Sequence, residues 1–340
     1  VGAARAEAGV ILDRSDGVVL IEERGRTRRV TVRPAAGRRA PRYWFDTAYP
    51  VELIRAILDV KGVAWVCDEL AREEDPAALR GSFERDFLPY VPATEFEGKR
   101  ILDFGCGAGA STMVLARMFK HSQIVGVELQ AALLELAQRR RAFYRYGHVS
   151  LLRAPGNDAL PEGLGNFDFV VMSAVFEHLL PGERRRLMPR LWALLAPGGC
   201  LLLNQTPHRY FPFESHTTDL PLINYLPARL ALLAARRFSR RSRDMSSWEA
   251  LLRQGIRGTT EREVLTSLGD CSHDVAPRLL APRAPGYRDR VDVWYAALSP
   301  RHRAAKQACR ELLRLVEHAF GTTFVTNLSL AISKGPCAAH

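Results

Sequence analysis

The apolar positions of this chain fall into blocks of different period. Over residues 17–33, Val18-Val19-Leu20-Ile21 and Val30-Thr31-Val32 flank a turn around Gly25, the pattern of a β-hairpin. An Arg/Pro/Gly-rich link covers 34–42. From Pro50 the period is helical, with Leu53, Ile54, Ile57, Leu58, Val63 and Val66 forming apolar stripes to about Leu70. Asp75-Pro76 opens another short helix, and Phe83, Phe87 and Tyr90 add an aromatic face. From Lys99 short buried runs alternate with helical ones. Strands are expected at 101–104, 124–128, 149–152, 167–172 and 200–204, and helices at 111–119, 131–144 and 183–195. Strands alternating with helices of this length form parallel βαβ units, with the sheet covered on both faces.

Beyond Thr206 the alternation stops. Helical stretches are expected around 227–238, 247–256, 260–268 and 301–319, and a last strand over 322–333. One further strand is expected before the last helix, within 271–297. The organisation is therefore a hairpin extension over 1–45, a helical lid segment over 46–98 and a core over 99–206. A helical cap follows over 207–319, then a last core strand and tail over 320–340.

Composition narrows the class. A chain of 340 residues, 47% hydrophobic and 25% charged, suits a folded globular protein with a real core. No apolar run approaches the ~20 residues of a membrane-spanning helix, and the start, Val1-Gly2-Ala3-Ala4-Arg5, lacks the apolar stretch of a secretory signal. A cytoplasmic location is the expectation. The six cysteines (67, 106, 200, 271, 309, 337) form no C-x-x-C pair and no zinc-spaced group, so neither a disulfide framework nor a metal is expected. The net charge of +11 comes from 43 arginines and only five lysines. Clusters at 139–141, at 184–186 and at Arg236, Arg237, Arg240 and Arg241 read as solvated helix faces rather than a dedicated nucleic-acid site.

The chemistry concentrates at Asp103-Phe104-Gly105-Cys106-Gly107-Ala108-Gly109, a glycine-rich turn between a strand and a helix. Such a turn brings backbone N–H groups against a ligand at a helix N-terminus. Its glycines alone also fit a dinucleotide fingerprint. Asp103 separates the two: a carboxylate aimed into the loop repels a pyrophosphate and favours a cationic ammonium. Glu128, closing the next strand, suits ribose hydroxyls in either case.

Residues 101–109 resemble motif I of class I S-adenosylmethionine (SAM)-dependent methyltransferases. Glu128 matches the acidic residue closing that family's second strand. Phe167-Asp168-Phe169-Val170-Val171 with Val175-Phe176-Glu177-His178-Leu179, and then Leu195-Ala196-Pro197-Gly198-Gly199, resemble its later motifs. The resemblance spans about residues 99–206. It implies a doubly wound α/β fold on a mostly parallel seven-stranded sheet, with SAM as cofactor and S-adenosyl-L-homocysteine as product. Gly105, Cys106, Gly107 and Gly109 would line the cofactor, Asp103 its amino group, Glu128 the ribose and Leu129 the adenine. Asn157 or Asp158 would hold the adenine amine, Ser173 would line the methyl donor, and His178 would secure the helix start or the cofactor pocket.

The acceptor is expected outside the carboxyl ends of the strands. There the run from Gln205 to Thr218 carries two histidines, an arginine, a glutamate and three aromatics. His216 is the first choice of general base and His208 the second, with Glu214 as orienting partner or substrate contact and Arg209 and Tyr210 toward the substrate. The expected activity is methyl transfer to a small-molecule acceptor, on oxygen, in secondary metabolism or on a glycan or lipid precursor. A nucleic-acid methyltransferase and a SAM-binding protein without catalysis are the alternatives. The first lacks the Asp/Asn-Pro-Pro-Tyr/Phe signature of base-methylating relatives, since Ser173-Ala174-Val175-Phe176 stands in its place. The first 98 residues could serve as a lid, a dimer interface or a partner-binding module.

Overall fold

The computed structural model describes residues 9–269, 276–299 and 301–335. Residues 1–5, Cys271 and Cys337 lie outside the described residues. Strands β1 (Val10–Arg14), β2 (Gly17–Arg24), β3 (Thr27–Pro34) and β4 (Trp44–Thr47) form an antiparallel sheet in sequence order. The expected hairpin is its centre, β2 and β3 pairing residue for residue about Gly25. Val19, Ile21, Val30 and Val32 alternate onto one buried face, as strand periodicity requires. That face packs on Leu53, Ile54, Ile57 and Leu58 of α1 (Val51–Lys61). The apolar stripe read through to Leu70 is broken at Gly62, and α2 (Val66–Glu74) and α3 (Leu79–Asp86) follow.

The core then runs β5 (Arg100–Phe104), α4 (Ala110–Met118), β6 (Gln123–Glu128), α5 (Ala131–Tyr144), β7 (Val149–Arg153), β8 (Phe167–Ser173), α6 (Pro181–Ala193) and β9 (Leu195–Pro207). The chain continues through β10 (Phe213–Glu214), β11 (Leu220–Pro221), α7 (Ala228–Phe238), α8 (Trp248–Arg253) and α9 (Glu261–Gly269). It closes with β12 (Pro277–Leu279), α10 (Arg290–Ala296), α11 (Arg303–Phe320) and β13 (Asn327–Lys334). Seven strands form one sheet in the order β12-β13-β9-β8-β5-β6-β7. β13 is antiparallel to both neighbours, β9 and β12, while the pairs among β5 to β9 are parallel. Both faces are covered. Leu102, Val170, Leu201 and Leu203 pack with α6 and α9 on one side, and Ile101, Phe169, Val171 and Leu202 with α3 and α4 on the other.

The stretch expected as one helical cap divides. β10, β11, α7 and α8 close over a small cluster of their own around Ile223, Ala231, Leu251 and Ile256. By contrast α9 joins the main core, and β12 supplies the strand expected within 271–297.

The arginine clusters also divide. Arg139 is exposed and pairs with Glu135, but Arg140, one position round the helix, is fully buried. Its guanidinium donates to Glu69 (2.9 Å) and to the Ala108 carbonyl (3.0 Å), and Glu73 lies 3.2 Å from its Nε. The N-terminal helices are thereby tied to the glycine loop. Arg184 is likewise buried, bonded to Glu263. Among the described residues no helix is long and apolar enough to cross a membrane.

Candidate active site

Strand β5 delivers Asp103 to the carboxyl edge of the sheet, where the chain turns through the glycines into α4. Asp103 is buried, and its Oδ2 accepts hydrogen bonds from Ser111 Oγ (2.7 Å) and Thr112 Oγ1 (2.6 Å) in the first turn of that helix. Burial pushes its carboxyl up to about 6, against the two hydroxyls, which pull it down. Sequence reading missed Ser111 and Thr112; their spacing of eight and nine residues from the acid was the available signal.

Two glycines have different reasons to be glycine. At Gly109 (φ +85°) a Cβ would lie 2.7 Å from the Ala137 Cβ, so α4 and α5 could not approach as they do. At Gly107 (φ +55°) nothing stands within 4 Å of that position, and the loop backbone faces open space. Gly105 and Cys106 donate their N–H groups to the Val127 carbonyl, binding the loop to β6. The Cys106 side chain is buried, and burial holds its thiol well above the usual range.

Glu128 closes β6 at the rim of this space. Its Oε2 accepts from Gly107 N (2.9 Å) and its Oε1 from Gln130 N (2.8 Å). A carboxylate has about four lone-pair sites, so both oxygens retain capacity for ribose hydroxyls. Leu129 follows, half-buried against the core. A buried acid that gains by meeting a cation, an open backbone cradle and a rim carboxylate together fit the aminoacyl and nucleoside parts of SAM.

Both adenine candidates have partners on α6. Asp158 pairs with Arg186, and Asn157 bonds Glu183, so α6 holds both side chains. The Arg186 guanidinium pulls the Asp158 carboxyl below its usual range.

At the carboxyl ends of β8 and β9 several polar groups are buried without partners. Ser173 Oγ, Asn204 Oδ1 and Glu177 Oε1 are all in this state, a costly arrangement that marks a site built for a ligand. Two non-glycine residues there, Ala174 and Gln205, adopt left-handed backbone conformations. Asn204 Nδ2 donates to Asp86 (2.8 Å) and Ser82 (3.1 Å), tying α3 to the strand end. Burial raises the Asp86 carboxyl. A cavity of about 470 Å³ opens beside them, lined by Arg42, Arg72, Arg85, Asp86 and Gln205 among others. Arg72, in its wall, also acts electrostatically on Asp103.

Of the loop residues after β9, the structure brings His216 to His178, with ring centroids 5.5 Å apart. Burial and the neighbouring His178 lower the affinity of His216 for a proton. His208 packs elsewhere, its ring against Phe324 and its Nδ1 accepting from Tyr210 N. Burial pushes His208 down to about 4, which makes it a neutral core residue. Glu214 is a loop clamp: its two oxygens accept from the backbone of His216, Thr217 and Thr218 and from the Thr218 hydroxyl. It orients His216 through the main chain. Arg209 and Tyr210 line a second cavity, of about 430 Å³, with Arg209 bonded to Glu263 (3.2 Å).

A family model described as a methyltransferase domain matches residues 102–201. Among curated proteins, the chain is 30% identical over 128 residues to a trans-aconitate 2-methyltransferase of Variovorax paradoxus, covering 38% of this chain and 46% of the relative. It is 28% identical over 133 residues to a carboxy-S-adenosyl-L-methionine synthase of Salmonella arizonae, covering 37% and 49%. The chain thus spans about half the length of the curated relatives it matches. Among solved structures, a SAM-bound amino pentose methyltransferase of Micromonospora echinaspora is 33% identical, covering 31% of this chain and 41% of that one, with a TM-score of 0.26. The matched segment ends inside β9, and the fold supplies what lies beyond it: the reversed strand β13 and its neighbour β12 complete the seven-stranded sheet. Over residues 102–201 the chain is thus similar to methyltransferase domains.

Proposed function

We propose that the protein transfers a methyl group from SAM to a hydroxyl of a small-molecule acceptor, a secondary metabolite or a glycan or lipid precursor. The observation that carries this reading is the juxtaposition at the strand ends. His178 and His216 lie together beside the buried Glu177, and Gln205, at the end of β9, lines the arginine-bearing cavity. When bound, SAM supplies a methyl on a cationic sulfur, which leaves by direct displacement. The chain's own work is placement. Asp103 and the loop backbone hold the aminoacyl end, Glu128 the ribose, and the cavity between α3 and β9 the acceptor; alignment of this kind supplies most of the acceleration. His216 is the base for the acceptor hydroxyl, worth about 10²- to 10⁴-fold. Arg42, Arg72 and Arg85 suit an acceptor bearing acidic or hydroxyl groups, and the likeness to trans-aconitate 2-methyltransferases supports a small acceptor.

The test is a screen of metabolite fractions with methyl-labelled SAM, following label transfer and S-adenosyl-L-homocysteine together. His216→Ala should cut turnover of any acceptor found by about 100-fold or more while SAM affinity stays near normal. Stoichiometric SAM binding with no label transferred across the screen would favour the non-catalytic reading.

A further inference from the structure

Glu177 and His178 follow β8, whereas His216 comes from the loop after β9, yet one carboxylate oxygen and one nitrogen from each ring lie within 4.8 Å of one another. Glu177 is fully buried. Its Oε2 accepts from Thr206 Oγ1 (2.8 Å), while Oε1 has no hydrogen-bond donor. His178 Nδ1 stands 2.8 Å from the Arg253 carbonyl. A carbonyl only accepts, so Nδ1 carries the proton of the neutral ring, and the Nε2 lone pair faces Glu177 Oε1 at 3.8 Å. Two acceptors opposed across that gap call for a cation between them. A backbone carbonyl on the remote nitrogen is also how metal-ligating histidines are oriented. The third donor is admitted by Gly255 (φ +95°), where a Cβ would lie 2.7 Å from the His216 ring and 3.1 Å from Glu177 Cγ.

We infer that Glu177, His178 and His216 form a binding site for one divalent first-row transition-metal ion. Two imidazoles and a carboxylate select zinc, manganese or iron over magnesium and calcium, which take oxygen-rich shells. Donors about 2 Å from a common ion stand about 3–4 Å apart, so closing the cluster by roughly an ångström completes it. Three protein ligands leave positions open. The methyl-transfer reading enters only in the consequence. An acceptor hydroxyl bound to the ion gives up its proton more readily, and His216 then serves as a ligand in place of a free base.

The experiment uses the whole chain, stripped with a chelator and titrated by calorimetry with Mn²⁺ and with Zn²⁺. Paramagnetic resonance counts bound Mn²⁺, and SAM is titrated in parallel. One ion per chain is expected, with His216→Ala and Glu177→Gln each weakening it by about tenfold or more while the His216→Ala protein still binds SAM. Should the buried Glu177→Gln variant fail to fold, His216→Ala, on a loop, decides alone. No stoichiometric binding of either ion to the wild type, or unchanged affinity in folded His216→Ala, overturns the site; the first result would mean that a proton shared by His178 and Glu177 fills the gap. Loss of SAM binding in the wild type would instead sink the methyl-transfer reading and leave the ion count standing.

Discussion

Replacing Asp103 by asparagine tests what this buried acid does. Its carboxyl is held at about 6 against an ordinary 3.8, which corresponds to about 3 kcal/mol against the ionised form at neutral pH. The folded value lies above the unfolded one. This group's contribution to stability is therefore fully present below about pH 4 and is lost as pH rises through 6. The amide removes that loss but also weakens the bonds from Ser111 and Thr112, each worth about 1.5–3 kcal/mol to a charged acceptor. Stability at neutral pH should change little. SAM binding should not escape: a cationic ammonium stabilises the carboxylate, and losing one charged interaction of that size weakens affinity about 10- to 100-fold. The wild type should also bind SAM more tightly as pH rises to about 6, releasing a proton on binding below it, and Asp103→Asn should abolish that dependence. Calorimetry across the range from about two units below neutral to one above, in two buffers of different ionisation heat, with urea unfolding in parallel, reads both. Wild-type affinity in the variant at neutral pH, or a flat wild-type profile, would refute the role given to Asp103.

His208 works in the opposite direction. Its folded value of about 4 lies below the ordinary 6.5, so its contribution is present above pH 6.5 and is lost, by about 3 kcal/mol, as pH falls through 4; a His208→Phe protein that fits should show a shallower loss of urea stability on acidification. Arg140→Met leaves Glu69 with Lys61 and Glu73 with Arg117 as their remaining cations and should cost about 3 kcal/mol by urea unfolding, and an unchanged midpoint would contradict the buried cluster. Gly109→Ala drives a Cβ into Ala137 at a left-handed φ and should cost about 1–3 kcal/mol, with weaker SAM binding by calorimetry.

How far the sequence could be read follows from range. β5 through β9 were legible because each strand and its helix follow one another, and the glycine loop and Glu128 sit at strand ends that the pattern itself marks. β12 has three residues, too few to show a period. The stripe from Leu53 to Val66 concealed the break at Gly62, since residues on either side of a short turn can still share a buried face. Arg140 read as solvated with its neighbours, because no local signal says that its face of α5 meets Glu69 and Glu73. The loop after β9 stands out in the sequence for its polar and aromatic residues, but these serve different ends. His216 joins the strand ends, His208 fills the core, and Glu214 spends its oxygens on the loop backbone. Asn157 and Asp158 were drawn to α6 by Glu183 and Arg186. Such partners come from distant parts of the chain and are visible only once it is folded.

The central claim is that the loop from Asp103 to Gly109 holds SAM. Calorimetric titration of the purified chain with SAM tests it most directly. One site per chain with micromolar-range affinity is the predicted result; a wild-type protein that is folded by circular dichroism and gives no binding would contradict it.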